Sequence, residues 1–168
     1  MPDKRVHTDP GTLAFSLLDR LLDDAPDLER DPPETRGQQV ARIREGLRRD
    51  LETLLNTRCR PTSPPKALEA LGGSLLRFGA PGFFGASLVT YAQRTGLAQD
   101  LERRIQAFEP RLEGLSVTIL DTPGTLHRAL RLRIRATYTL QEGLPELNFE
   151  TRLDPVTQRF SVREAARE

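Results

Sequence analysis

The chain has 168 residues, of which 37% are hydrophobic and 29% are charged, which is enough apolar material for one core. Its 25 basic residues almost balance 24 acidic ones, whereas a general nucleic-acid binder carries a strong basic excess. The single cysteine, Cys59, has no disulfide partner in this chain and fits a reducing compartment. No apolar run approaches the roughly 18 residues of a membrane helix, and residues 1–10 lack a signal-peptide core. We therefore expect a soluble, cytoplasmic protein with no membrane insertion.

The N-terminal half has the periodicity of helices. After a polar arm over residues 1–10, leucines at helical spacing predict an amphipathic helix from Leu13 to Leu22. The stretch from Asp19 to Glu34, with seven acidic and two basic residues, is predicted to be an acidic surface loop. A second helix is predicted from Gln38 to Leu55, because apolar residues recur there every three or four positions.

The second helix carries charges that could pair along its outer surface. Glu45 with Arg49, and Arg48 with Glu52, are spaced for i,i+4 ion pairs. Four prolines and five glycines between positions 56 and 85 then break the pattern, leaving a short helix at 67–76 and a buried, turn-rich apolar connector at 75–85. A third helix is predicted over 97–108, and it must end there because Pro110 disfavours helical geometry in the preceding residue.

The C-terminal part alternates as β-strands do. Residues 115–119 predict one strand, and residues 130–140 form the clearest period-two segment of the chain. Two shorter strands follow near Leu147–Leu153 and Phe160–Val162. Short connections imply an antiparallel meander of about four strands with helices on one face. The sequence thus predicts a two-layer α+β domain over residues 11–163, followed by a polar tail at 164–168.

A row of three arginines, Arg131, Arg133 and Arg135, lies on the polar side of the clearest strand. Same-face neighbours are about 6.5–7 Å apart, within the physiological Debye length of about 8 Å, so the three charges repel one another. The row is either a solvated face that its neighbours neutralise or a docking surface for an acidic protein partner.

Two hairpin registers are open for this strand. A two-residue turn at Glu142-Gly143 would place Arg135 opposite Glu150, whereas a four-residue loop over 142–145 would place it opposite Arg152. Both registers keep the apolar residues on one face, so polarity does not choose between them. The last strand, at 159–163, is an edge that its arginines protect or that accepts a strand from another protein.

Signatures of catalysis are missing. The two histidines, His7 and His127, lack metal-ligand spacing, and no phosphate or nucleophile motif is present, so we expect no cofactor and no metal. A carboxylate-pair hydrolase would rest on Glu109, at a helix end beside apolar Phe108. Arg111, two residues on, would favour the ionised carboxylate, which is the wrong form for a general acid.

Four segments in this order and spacing resemble one family. They are Arg48–Arg58, Ser74–Gly79 leading to Phe83, Ile105–Leu112 and Phe149–Asp154. Together they resemble the TssE family of type VI secretion baseplate subunits, which are relatives of phage-tail baseplate wedge proteins. The strings Leu-Leu-Asn-Thr-Arg and Phe-Glu-Pro-Arg-Leu carry most of the likeness, which extends from about Phe15 to Val162.

The resemblance implies a structural, non-enzymatic protein in the cytoplasmic baseplate wedge, with TssF and TssG as partners. It would help to dock or nucleate the contractile sheath, whose subunits join by strand exchange. The family's Glu-Pro-Arg motif falls on Glu109, Pro110 and Arg111 and is implied to contact the wedge core bundle. The alternatives are a peptidoglycan hydrolase with Glu109 as the acid, and a regulatory protein-binding module of the same fold.

The residues of this motif allow two roles on their own chemistry. Pro110 fixes its φ angle and forces the chain out of the helix, so Glu109 and Arg111 are held at a rigid corner. Opposite charges at such a corner bind a partner, or they pair with each other and join helix to strand.

Overall fold

A computed structural model of the chain describes residues 17–21, 27, 33–60, 65, 67–80, 90–120, 130–139, 144, 146–154 and 156–165. Over these ranges, three α-helices and two 3₁₀ turns precede four strands. They are α1 (Leu17–Leu21), α2 (Arg36–Asn56), the 3₁₀ turns Glu69–Gly73 and Leu75–Arg77, α3 (Tyr91–Phe108), β1 (Leu112–Ile119), β2 (Leu130–Tyr138), β3 (Leu147–Leu153) and β4 (Phe160–Glu164). This order confirms the predicted α+β class.

The strands form one antiparallel sheet in the order β1-β2-β3-β4, with α3 packed on β1 and α2 packed on β4. Alternate side chains of β2 and β3 point to the helices and are buried, as period-two segments require. The centre of the core is where the apolar stripes of both helices meet this face of the sheet. Its most buried members include Leu47, Leu51, Leu101, Ile105, Leu132, Ile134 and Phe149.

Both long helices begin with a capping box. Gln38 N–H donates to Thr35 Oγ1 at 3.4 Å and Thr35 N–H donates to Gln38 Oε1 at 2.8 Å, and Thr90 with Gln93 repeats the arrangement. Helix α3 therefore begins six residues before the predicted start at Leu97. Its first turns are largely exposed, so the apolar periodicity could not reveal them.

The predicted acidic loop begins inside a helix, which corrects its N-terminal boundary. Asp19 lies in α1 and is only 7% exposed, while Leu18 and Leu21 of the leucine pattern are exposed. Asp19 instead makes an ionic contact with α2, which is described below. Residues 22–26 and 28–32 of the predicted loop lie outside the described residues.

The described part of the predicted buried connector begins at the surface and ends in the core, where Gly79 and Ala80 are buried. Leu75 is 86% exposed and Leu76 is also exposed, because two short 3₁₀ turns have no continuous face to bury. Phe78 does pack inward, edge-on against Phe108 with ring centroids 5.4 Å apart. The connector beyond position 80 lies outside the described residues.

Strands β2 and β3 pair in neither of the two registers considered from the sequence. Arg133 lies opposite Glu150 and Arg135 lies opposite Asn148, two residues from the nearer alternative. An even shift keeps every side chain on its predicted face, which is why the polarity pattern could not exclude it. This register lets Glu150 bind both Arg131 and Arg133.

Side chains of the helices bind the outer backbone of both edge strands. Asn56, the last residue of α2, donates to the Phe160 carbonyl at 2.9 Å and accepts from the Phe160 N–H at 2.8 Å. On the opposite edge, Glu102 of α3 accepts from the Val117 N–H at 2.9 Å. Both strands are therefore partly satisfied at their free edges.

Gly79 allows a close backbone approach between the connector and the end of α2. The Ala80 N–H donates to the Thr57 carbonyl at 2.8 Å, and the Cys59 N–H donates to the Ala80 carbonyl at 2.9 Å. Gly79 has a φ of +105°, and an added Cβ would lie 2.3 Å from the Thr57 carbonyl oxygen. Only glycine fits this position without strain.

We expect Gly79→Ala to lower the free energy of unfolding by about 3 kcal/mol, because it combines left-handed strain with a backbone clash. Urea denaturation measures this loss. The control is Gly73→Ala, where an added Cβ meets nothing within 4 Å, and it should change stability by less than about 0.5 kcal/mol. Equal losses in the two variants would contradict the account.

Candidate functional site

The Glu-Pro-Arg segment forms a rigid corner between α3 and β1. Glu109 is the C-cap of α3, and its N–H donates to the Ile105 carbonyl at 2.8 Å. Pro110 follows and is exposed, and β1 begins at Leu112. The chain thus leaves the helix where the proline was predicted to end it.

The two charges of the corner bind each other and a third residue. Arg111 Nε and Nη2 donate to Glu109 Oε1 and Oε2 at 2.5 and 2.6 Å, and Nη2 also donates to Asp50 Oδ2 of α2 at 2.7 Å. Glu109 is buried and Arg111 is mostly buried. The internal ion pair weighed from the sequence is present, and partner binding by the same residues stays a prediction.

The contacts continue from Asp50 to α1. Arg49 Nε lies 3.5 Å from Asp50 Oδ1, and Arg49 Nη2 donates to Asp19 Oδ1 at 2.7 Å. Five side chains, Asp19, Arg49, Asp50, Arg111 and Glu109, therefore alternate in sign across α1, α2 and the corner. We call this set the ion network.

Electrostatics keeps both cations of the ion network charged. The hydrogen bond with Glu109 raises the pKa of Arg111; burial opposes the shift and the bond with Asp50 adds to it. The hydrogen bond with Asp19 likewise raises the pKa of Arg49. Arg111 is mostly buried, so removing one of its partners costs about 3–5 kcal/mol, because it leaves a charge uncompensated. The Arg49 side chain is 39% exposed, so water screens its ion pairs more strongly.

A small cavity of about 210 Å³ opens beside the corner. It is below the usual size of a pocket for a drug-sized ligand but has room for a side chain from another protein. Its lining combines the carboxylates of the ion network with an apolar wall that includes the Phe78–Phe108 pair. The residues are Asp50, Leu51, Thr53, Leu54, Phe78, Phe108 and Glu109.

The corner leaves two groups for an outside partner. Arg111 Nη1 donates to no atom of the described residues, and the ring of Pro110 is exposed. Each oxygen of Glu109 accepts a hydrogen bond from Arg111.

The predicted arginine row lies elsewhere, on the sheet face turned away from the helices. Nη2 atoms of Arg131 and Arg133 donate to Glu150 at 3.1 and 3.0 Å. The bond from Arg133 is the main cause of a lowered pKa at Glu150; burial opposes it and Arg131 adds to it. Arg135 forms no ion pair with a described residue. The row and the corner are therefore separate sites.

Three members of the ion network were not predicted as site residues. The sequence spacing predicts that Arg49 pairs with Glu45. In the structure Glu45 pairs with Arg48 at 2.7 Å, and Arg49 pairs with Asp19 of α1 and with Asp50. One signal was available, because a glycine inside a good helix often marks a close approach. At Gly46, an added Cβ would lie 2.9 Å from Asp19 Oδ2.

Among the residues that the structure describes, no three acidic, histidine or cysteine side chains could together hold a metal ion. No helix in the same ranges is long and apolar enough to cross a membrane.

Tyr138, buried near the ion network, reports on the corner through its titration. Burial raises its pKa, Arg111 lowers it, and Glu109 and Asp19 raise it. In a Tyr91→Phe variant it is the last tyrosine, so its ultraviolet absorbance should titrate above pH 10. Because the neutral phenol is favoured in the folded state, Tyr138 makes its full contribution to the free energy of unfolding below about pH 10. This contribution is lost as the pH rises through the folded-state pKa.

The control for this titration is Tyr138→Phe. Its free energy of unfolding should fall less than that of the parent protein as the pH rises above about 10. A midpoint at or below pH 10 for Tyr138 would contradict its burial beside the corner.

Comparison of the sequence with known proteins identifies a family for this chain. No curated protein sequence matches the chain. A family model described as baseplate wedge protein gp25 matches residues 41–142, more than half of the sequence. The match spans most of α2, all of α3, the corner, β1 and β2. The chain therefore belongs to the baseplate wedge protein gp25 family.

Proposed function

We propose that this chain is the wedge subunit of a type VI secretion baseplate, where it binds TssF and TssG and helps to dock or nucleate the contractile sheath. Membership of the gp25 family makes the chain a structural component of a phage-tail-like baseplate. The resemblance of four segments to TssE supports the type VI assignment. The observation that carries the proposal is the preorganised corner formed by Glu109, Pro110 and Arg111.

The corner suits recognition of a partner because its charges are already fixed. Glu109 and Asp50 hold the guanidinium of Arg111 from two sides, so little side-chain entropy remains to be lost on binding. Arg111 Nη1 then donates to a carboxylate or carbonyl oxygen of the partner. A polar contact of this kind sets register and specificity more than raw affinity.

The cavity beside the corner supplies the apolar part of the same interface. The wall formed by Phe78, Phe108 and Leu54 accepts one side chain of a partner helix. Pro110 contributes an exposed rigid ring next to it. A charged fork beside an apolar pocket is the composition of a hot spot in protein–protein interfaces.

The contacts of Glu109 favour assembly over hydrolysis. A glycosidase needs one carboxylic acid that donates a proton and a second carboxylate a few ångströms away. Glu109 and Asp50, the two carboxylates that line the cavity, both bind Arg111. We propose that the protein is not an enzyme and acts from the cytoplasmic side of the apparatus.

The test is co-expression with TssF and TssG, affinity purification on this chain and size-exclusion chromatography. The variant is Arg111→Lys, which keeps a cation between Glu109 and Asp50 but removes the guanidinium fork. We expect a stable wild-type complex and a loss of at least about tenfold in affinity in the variant, about 1.4 kcal/mol. Urea denaturation must show that the variant remains folded.

The matched control is Arg103→Lys, an exposed position on α3 near the corner. It should bind as the wild type does. If the complex survives Arg111→Lys, the corner has a purely internal, structural role. If folded wild-type protein forms no complex at all, the wedge assignment is refuted. Turnover of purified peptidoglycan that Glu109→Gln abolishes would establish the hydrolase instead.

A further inference from the structure

The outer face of the sheet concentrates positive charge well beyond the predicted row. Strands β3 and β4 add two more arginines beside the three of β2, and only two glutamates lie at outward positions of the four strands. We call this surface the arginine face. Its arginines are Arg131, Arg133, Arg135, Arg152 and Arg163, and its acids are Glu113 and Glu150.

The charges of the arginine face are not balanced within the described part of the chain. Glu150 binds both Arg131 and Arg133, one with each of its two oxygens. Arg135, Arg152 and Arg163 are exposed, and no described carboxylate lies within 4.0 Å of their guanidinium groups. Arg163 faces Glu150 across the strands, and Arg152 attracts the carboxylate of Asp154 at longer range. The three unpaired cations come from three adjacent strands of a rigid sheet.

The sheet register brings like charges together on this face. Arg152 lies directly opposite Arg131, a cross-strand arrangement that destabilises a sheet. Neighbours on one face stand about 6.5–7 Å apart, well within the Debye length of about 10 Å at 0.1 M salt. The isolated fold gains nothing from this repulsion, whereas an anionic partner would relieve it.

The chemistry of the face selects the class of anion. Tyr138, Phe149 and Phe160 all point toward the helices, so the arginine face has no aromatic side chain from these strands on which a nucleic-acid base could stack. The chain as a whole is almost neutral, at +1, whereas general nucleic-acid binders carry a strong basic excess. Separate carboxylates match separate guanidinium forks.

We propose that the arginine face is a docking surface for an acidic segment of a partner protein, with Arg135, Arg152 and Arg163 as its binding cations. The surface lies on the opposite side of the sheet from α2 and its Asp50. This inference goes beyond the proposed function, because it does not depend on the corner or on the identity of the wedge partners.

The test measures binding of a fluorescein-labelled oligoglutamate peptide by fluorescence anisotropy. The variant Arg135→Gln/Arg152→Gln/Arg163→Gln removes the unpaired cations. A matched control, Arg36→Gln/Arg60→Gln/Arg103→Gln, removes the same charge from exposed sites outside the sheet. We expect the face variant to bind at least about tenfold more weakly and the control to change by less than about twofold.

A second measurement separates binding from stability. Arg152→Gln alone relieves the repulsion with Arg131, so it should raise the urea midpoint of the free protein while weakening peptide binding. A lower midpoint would overturn the proposal that the cation is kept for binding at the expense of the fold.

Two binding outcomes would also overturn the proposal. Equal losses in the two triple variants would mean that the peptide responds to total charge and not to the arginine face. Tighter binding of duplex DNA than of the peptide, lost in the face variant, would assign the surface to nucleic acid. The wedge assignment would stand in either case, since its test uses the corner.

Discussion

The ion network connects the parts of the molecule that hydrophobic packing alone leaves loosely placed. Five residues of α1 are described, and two of its leucines, Leu18 and Leu21, are exposed, whereas Asp19 reaches Arg49 across Gly46. At the other end of the ion network, Arg111, the residue before β1, donates a hydrogen bond to Asp50 of α2. The ion network therefore adds a polar connection between α2 and the corner at the boundary of the core, where water screens charges less than at the open surface.

Helices on one side of the sheet and arginines on the other give the molecule two chemically different surfaces. The corner combines fixed charges with an apolar cavity, which suits a close and specific contact. The outer face of β2, β3 and β4 is open and cationic, which suits a longer-range attraction. A subunit in an assembly that contacts several neighbours benefits from such a division, because the two contacts do not compete for the same residues.

Much of the fold could be predicted because local pattern and final environment agree. The alternation in β2 and the three-to-four spacing in α2 gave the correct faces, and Pro110 correctly ended α3. The misses arose where local pattern carries no information. The register of β2 and β3 differs by an even number of residues from the expected one, and Leu75 is apolar but lies in a turn with no face to bury.

The site was predicted in part for the same reason. The motif placed Glu109 and Arg111 at a corner, but nothing in the spacing of the chain revealed that Asp50, some 60 positions earlier, meets Arg111. Long-range ion pairs depend on how two elements pack. The local periodicity of the sequence does not determine the angle at which they pack. Gly46 was the one local sign of the contact with Asp19.

The hydrogen bonds that Asn56 makes to both backbone groups of Phe160 have a consequence for the free, unassembled subunit. An open edge strand is a template on which identical chains stack into cross-β fibrils, and this protein carries a sheet with two edges. A neighbouring strand must first displace the amide of Asn56 at β4, or the carboxylate of Glu102 at β1. These two contacts therefore protect both edges of the sheet against pairing with another copy of the chain.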